Sequence, residues 1–240
     1  MPRPYTQSKY RSKKPTPKDI PTDGSATITS LRPATDQPDQ ISVRVNRVLM
    51  GRISLSTKSK HTLSIGDPWT QTLAETLHTE LTRSRAYRSA TRTLAARAIS
   101  ASDLKRKLQR NGNDPDAIDY AINRLTELGL LDDTQYAGMK ARSIIRSKPA
   151  GRRFIEAKLR QKGINQSIIQ ETLDEELKDQ DPYQDALKLA RQAARSLASR
   201  DPETRQRRLI GRLARRGFDH DIVRRVVEQI ESKILSEESQ

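Results

Sequence analysis

The spacing of apolar residues changes twice along the chain. Residues 1–40 hold seven of the twelve prolines, many Thr, Ser and Lys, and few apolar residues. Such a stretch buries too little surface to offset its ordering entropy, so 1–40 is expected to be a disordered basic tail. From Ile41 apolar and polar residues alternate, at Ile41, Val43 and Val45, then Ile53 and Leu55, then Leu63 and Ile65. That period of two predicts a small three-stranded β element within 41–67. The spacing then lengthens to that of a helix: Leu73, Leu77 and Leu81 share one face of a connecting helix in 68–84, and Trp69 is placed to pack the β element against it.

The rest of the chain repeats itself. Leu104-x3-Leu108-x3-Gly112, Ile155-x3-Leu159-x3-Gly163-Ile164 and Leu209-x3-Leu213-x3-Gly217-Phe218 superimpose, with glycines 51 and 54 residues apart. This is the spacing of helical repeats. Asp-Pro occurs four times, at 67–68, 114–115, 181–182 and 201–202. Asp accepts orphan N–H bonds at an N-cap and Pro suits the first helical position, so each pair marks a helix start. Three helices per repeat are predicted: 85–99, 101–111 and 115–130; 134–148, 150–162 and 166–178; 183–199, 202–216 and 220–235. The glycines fall at the left-handed C′ position, with Ile164 and Phe218 placed to touch Leu159 and Leu213 in Schellman contacts. Repeat one has Asn113 there, which predicts a weaker stop, and Asn165 and Asp219 are predicted caps. The expected fold is therefore all-α, with tandem three-helix repeats at 85–131, 132–179 and 180–235 and an acidic tail at 236–240. One such unit has too little core to stand alone, so the repeats are expected to stack into an elongated, curved solenoid behind the small β element and disordered tail.

Charge follows the same rhythm. Residues 82–112, 140–163 and 188–217 each carry a net +8, while 113–133, 164–185 and 218–240 carry −5, −6 and −3. A total of +15 makes polyanions the default partners: nucleic acid, an anionic membrane surface or an acidic protein assembly. There are no cysteines, no signal-peptide core and no apolar run of membrane-spanning length, so a soluble cytoplasmic protein is expected. His61, His78 and His220 are scattered, and there is no phosphate-cradling glycine loop and no nucleophile beside a base, so neither catalysis nor a cofactor or metal is expected. Asp132 and Asp133 form a carboxylate pair able in principle to hold Mg²⁺, but they precede a predicted helix where an N-cap belongs. Tyr87, Tyr136 and Tyr183 recur near the start of each repeat, as core residues rather than base-stacking platforms.

These residues resemble the RecX family of regulators of the RecA recombinase. The resemblance is carried by Ser100-x2-Asp103-Leu104 with Leu108, by Leu125-x2-Leu128-Gly129-Leu130-Leu131-Asp132-Asp133-x2-Tyr136-Ala137, by Gly151-x3-Ile155-x3-Leu159-x2-Lys162-Gly163-Ile164, and by Arg215-Arg216-Gly217-Phe218. It covers about 85–235, with Tyr136 where Phe is commoner in the family and Pro149-Ala150 before Gly151. It implies a non-enzymatic, mainly inhibitory protein of recombination, DNA repair and the SOS response. Such a protein binds the RecA filament on DNA and restrains ATP hydrolysis and strand exchange.

Aligning the repeats on their glycines gives two columns: Lys107, Lys158 and Arg212, and then Asn111, Lys162 and Arg216. A line of cations in register can follow a phosphate backbone or an acidic filament wall. Arg106, Arg110, Arg152, Arg153, Arg160, Arg207, Arg208 and Arg215 thicken it. The bland alternative is a set of solvated helix faces, with some basic helices paired to the acidic ones inside the fold. The expected partners are the RecA filament and single- or double-stranded DNA, met by a monomer. A stand-alone, sequence-nonspecific DNA-binding or architectural protein is the runner-up, and a nuclease built on Asp132 and Asp133 is disfavoured.

Overall fold

The computed structural model describes residues 15–238. The chain forms two compact units. Of the described residues, one holds those up to Arg92 together with Leu108–Ala121, and the other holds Thr93–Lys107 with those from Ile122 onward.

The first unit contains an antiparallel sheet in the order β3-β2-β1-β4, from β1 (Asp23–Ala34), β2 (Gln37–Val45), β3 (Val48–Ser54) and β4 (Pro68–Thr70). The strands therefore begin at Asp23, and residues 23–40, expected in the tail, form β1 and the start of β2. Only Ala26 and Ile28 carry the buried positions at the start of β1, while Thr27 and Thr29 supply β propensity without apolar signal. Pro33 and Pro38 suggested disorder, yet Pro33 stands beside a register shift and Pro38 is exposed near the turn, where a missing N–H is tolerated. Of the expected tail, residues 1–14 lie outside the described residues.

The third expected strand, around Leu63 and Ile65, is absent. Leu63 is buried from a turn, Ile65 is exposed, and a short helix α1 (Leu55–Lys60), capped by Ser54, precedes them. The first Asp-Pro pair starts β4 rather than a helix, because the Asp67 carboxylate instead accepts the Ser64 N–H at 2.7 Å. Trp69 of β4 does pack against Leu77 and Leu81, in one core with Ile28, Ile41, Val43, Val45 and Ile53. Leu77 and Leu81 belong to α2 (Gln71–Ala96), one helix where two were expected, since no Gly or Pro interrupts 71–96. Helix α2 also runs along the edge strand β3. A Cβ on Gly51 would lie 2.5 Å from the Leu81 carbonyl oxygen, Ser84 Oγ accepts the Arg52 N–H at 3.1 Å, and Glu80 accepts the Ser54 N–H at 3.0 Å.

The repeats follow the predicted periodicity closely. Helices α3 (Ala101–Arg110) and α4 (Pro115–Glu127) are shared between the two units. Helices α5 (Asp133–Ser147), α6 (Arg152–Gln161) and α7 (Gln166–Glu176) enclose a core of Ala137, Ala141, Ile155, Leu159, Ile169 and Leu173. Helices α8 (Pro182–Arg195), α9 (Pro202–Arg215) and α10 (His220–Glu238) enclose Leu187, Ala190, Leu209, Leu213, Val226 and Val227. Tyr136 and Tyr183 pack partly buried against these two cores. Asp114, Asp181 and Asp201 cap their helices as expected, accepting from Ala117 N, Tyr183 N and Thr204 N at 3.1, 2.9 and 2.8 Å.

The Schellman ends also form. Ile164 and Phe218 are buried and donate to the Leu159 and Leu213 carbonyls at 3.3 and 3.4 Å. Asn113 makes the same backbone bond to Leu108 at 3.2 Å. Its Nδ2 donates to that same carbonyl at 2.9 Å, so a second hydrogen bond replaces the apolar contact, and the stop expected to be weak is closed.

Within the second unit the repeats dock through their glycines. A Cβ on Gly163 would lie 2.3 Å from Ser102 Oγ, and one on Gly217 would lie 2.2 Å from Phe154 N. Each helix-ending glycine thus touches the start of the preceding repeat's second helix. The Asp pair adds a further link: Asp132 Oδ1 accepts Thr134 N and Gln135 N of its own helix at 2.8 and 2.9 Å, while Asp133 Oδ1 accepts Ala101 N of α3 at 2.9 Å. Half-burial raises the Asp133 carboxyl above its ordinary range against that hydrogen bond.

Two stability tests follow from this packing. Gly129 (φ +66) has nothing within 4 Å of a built Cβ, so Gly129→Ala is expected to cost only the left-handed backbone penalty, about 1–2 kcal/mol in urea denaturation. Gly217→Ala (φ +76) adds a backbone collision and is expected to cost more than about 3 kcal/mol; equal costs would discount the docking. A carboxyl whose folded pKa is raised loses stability as pH rises through that pKa. Asp133→Asn, which keeps the acceptor for Ala101 N, is therefore expected to gain in melting temperature relative to the parent between pH ~3 and pH ~7.

Candidate functional site

The second helices α3, α6 and α9 carry every cation of the two expected columns. Their apolar positions, Leu104 and Leu108, Ile155 and Leu159, Leu209 and Leu213, are fully buried, which turns the remaining faces outward. The structure divides the candidate residues into those engaged inside the protein and those facing solvent without a carboxylate.

The engaged group includes both cations of the second column. Lys162 and Arg216 are the C-cap residues of α6 and α9, and each closes on the preceding repeat. The Lys162 carbonyl accepts Ser100 Oγ–H at 2.7 Å, and the Arg216 carbonyl accepts the Gly151 N–H at 2.8 Å. Ser100 and Gly151 are 51 residues apart, the same step as Gly112 and Gly163, so the two bonds are equivalent. The side chains reach equivalent targets by different chemistry. Lys162 Nζ pairs with Asp103 at 3.0 Å, whereas Arg216 lies over the Phe154 ring, its Cζ 4.2 Å from the centroid. Arg216 further donates to the Pro149 and Lys148 carbonyls at 2.9 and 2.7 Å. Burial works to raise the Asp103 carboxyl, but hydrogen bonds from Lys162 and Arg106 outweigh it and hold it below the usual carboxylate range.

Four flanking arginines are also paired. Arg152 meets Asp174 at 2.7 Å and Gln170 at 2.7 Å, Arg153 meets Asp219 at 3.0 Å, Arg106 meets Asp103 and Arg160 meets Glu156. Asp219, a predicted cap, stands directly before α10 with its carboxylate on Arg153. These are exposed pairs of modest strength, which a stronger anion can displace. The most enclosed pair was not anticipated: Arg205, 3% exposed, holds Glu231 of α10 with Nε–Oε1 at 3.0 Å and Nη2–Oε2 at 2.6 Å.

The remaining residues form the candidate site proper. Among the described residues no carboxylate lies within ion-pair distance of Lys107, Lys158, Arg212, Arg110, Arg207, Arg208 or Arg215. Lys158 and Arg212 are exposed and Lys107 half-exposed, so the whole first column keeps its charge outward. On α9, Arg208, Arg212 and Arg215 stand at i, i+4 and i+7, one continuous stripe flanking the buried line of Leu209 and Leu213. Arg110 belongs to the first unit and ends α3. No group of three or more His, Asp or Glu suited to a metal ion occurs among the described residues, and Asp132 and Asp133 cap different helices. No helix among them is long and apolar enough to cross a membrane.

Comparison with known proteins places this arrangement. Models of the first, second and third three-helix domains of RecX match residues 86–125, 132–173 and 179–227. A protein named Regulatory protein RecX from Chlorobaculum tepidum is 36% identical over 157 residues, 65% of this chain and 92% of that one. A second, from Chlorobium phaeobacteroides, is 35% identical over 61% of this chain and 93% of its own. A crystal structure of regulatory protein RecX superimposes with a TM-score of 0.63 at 20% identity, over 85% of this chain and 99% of that chain. The crystal structure of RecX from Lactobacillus salivarius gives 0.55 at 23%, over 62% and 97%. With three consecutive domain models matched in order and close relatives aligned over nearly their full length, the chain belongs to the RecX family.

Proposed function

We propose that this protein is a non-enzymatic regulator, mainly an inhibitor, of the RecA recombinase, which binds the RecA–DNA filament and restrains its ATP hydrolysis and strand exchange during recombination and DNA repair. Family membership supports a regulatory role, since the relatives are named as regulatory proteins. The observation that carries the binding surface is the uncompensated first column. Lys107, Lys158 and Arg212 recur at one register of three successive second helices, and each lacks the intramolecular carboxylate that occupies Arg152, Arg153, Arg160 and Lys162 beside them. Keeping three charges unpaired at one repeated position while neighbours are paired favours an external anion over plain solvation.

The contact is proposed to combine phosphate backbone and acidic protein surface, with Arg208 and Arg215 widening the strip on α9. Lys162 and Arg216 act through repeat docking, as positioning residues. With Tyr136, Phe154 and Tyr183 partly packed into cores, base stacking is expected to contribute little, and binding to be insensitive to sequence.

Two measurements test this. A molar excess of the protein is expected to slow the DNA-dependent ATPase of RecA and its strand exchange; unaffected rates would overturn the proposal. Reversing Lys107, Lys158 and Arg212 to Glu is expected to weaken that inhibition and to lower the salt slope of duplex binding by about 3, at ~0.9 per lost phosphate contact. An unchanged slope would remove those residues from the interface.

A further inference from the structure

A second, denser cationic cluster lies in the first unit, outside the repeats. Its frame is the edge strand β3 and the side of α2 along it. Glu80 binds Ser54 N, and Ser84, one turn on, binds Arg52 N, so α2 advances as β3 is read backwards. The next two turns of that stripe carry Arg88 and Arg92, which brings them toward the Leu49 end of β3. Leu49 is the register partner of Arg44 on β2, and Ser42 is the partner of both Arg52 and Arg32. Two strands and one helix thus bring Arg44, Arg52, Arg88 and Arg92 together.

The chemistry of the cluster is one-sided. The Arg88 guanidinium is pulled below its ordinary range first by burial and then by Arg52, Arg92 and Arg44, with only Asp36 opposing them. Asp36 is already held by Arg52 at 2.7 Å and is largely exposed. The Arg52 side chain is 10% exposed, and its Nε is buried with no hydrogen-bond partner. A buried guanidinium N–H without an acceptor, beside three further arginines and a single carboxylate, is costly to maintain. Surface solvation does not explain it, because solvated arginines spread apart. An arriving phosphate, with several acceptor oxygens and negative charge, compensates the crowding directly.

We infer that the β unit carries its own phosphate-binding surface, formed by Arg44, Arg52, Arg88 and Arg92 at the β3–α2 junction, which takes the backbone of a nucleic acid strand independently of the repeats. Exposed Arg44 and Arg92 and half-exposed Arg88 make the contact, and Arg52 holds the floor of the cluster. Register and charge complementarity, rather than any base-reading group, define the site, so it is expected to be indifferent to sequence.

The test uses the full-length chain and a fluorescein-labelled oligothymidylate, with anisotropy read between ~50 and ~200 mM salt. The triple variant Arg44→Gln, Arg88→Gln, Arg92→Gln is expected to bind about tenfold more weakly at the low end and to lower the salt slope by about 2, at ~0.7 per contact on a single strand. Arg88→Gln alone is expected to raise the melting temperature, because it removes like-charge crowding. The charge-preserving variant Arg44→Lys, Arg88→Lys, Arg92→Lys is expected to keep most of the slope. An unchanged slope in a triple Gln variant that melts like the parent overturns the inference. So does a Gln variant that fails to fold, since crowding relief should stabilise it, and so does equal loss in the Lys variant. A variant that loses binding to polyglutamate but not to the oligonucleotide assigns the surface to an acidic protein instead, and also overturns it. Lys107, Lys158 and Arg212 are untouched throughout, so failure here leaves the repeat interface standing, and the RecA assay can fail without affecting this result.

Discussion

The second unit depends on one close approach: the glycine that ends each second helix lies against the start of the preceding repeat's second helix. At Gly163 the neighbour is Ser102, and at Gly217 it is the Phe154 backbone. Both glycines are left-handed, so one residue meets two requirements, ending its helix and leaving room for its neighbour. The contact then sets everything around it. Ser100 and Gly151 bond the C-cap carbonyls, Asp103 and Phe154 receive the C-cap side chains, and Asp133 ties α5 to α3. These links hold the second helices in a fixed relation, without which a column of cations in sequence would not be a column in space.

The same docking sorts charge into two kinds. Cations at helix ends and first turns, such as Lys162, Arg152 and Arg153, meet the acidic third helices or the previous repeat. Cations in the middle of the outward face meet no carboxylate: Arg212 is exposed, and Lys158 lies over the Phe154 ring, 5.4 Å from its centroid. Net charge therefore overstates the binding surface. The β unit shows the opposite economy, with arginines gathered from three elements around a single carboxylate.

Much of this was legible in the sequence. Eight helices, α3 to α10, fall close to their expected spans because Asp-Pro starts and glycine stops are local signals, each written within a few residues. The sheet was harder to read. Strand β1 hides its burial in Ala26 and Ile28 among Thr, Ser and Pro, and its partners lie elsewhere in the chain. The long α2 was divided because the repeat suggested a boundary where no residue breaks the helix. The first cation column was found by alignment alone. The fate of the second was not, since nothing in the local sequence of Lys162 or Arg216 names Asp103 or Phe154 as partner. The cluster around Arg52 was missed for the same reason, although the pairing of β2 with β3 would have placed Arg44 and Arg52 near each other.

The docking position serves a different end in the third repeat. Moving from Ser100 to Gly151 and on by the 54-residue step from Gly163 to Gly217 arrives at Arg205. A small residue at that position receives the next repeat in the first two units; in the third, α9 begins one turn earlier and the position is filled by a buried guanidinium locked onto Glu231. The position that receives a neighbour in the first two repeats is thus spent, in the third, on an ion pair that ties α9 to α10 within one repeat.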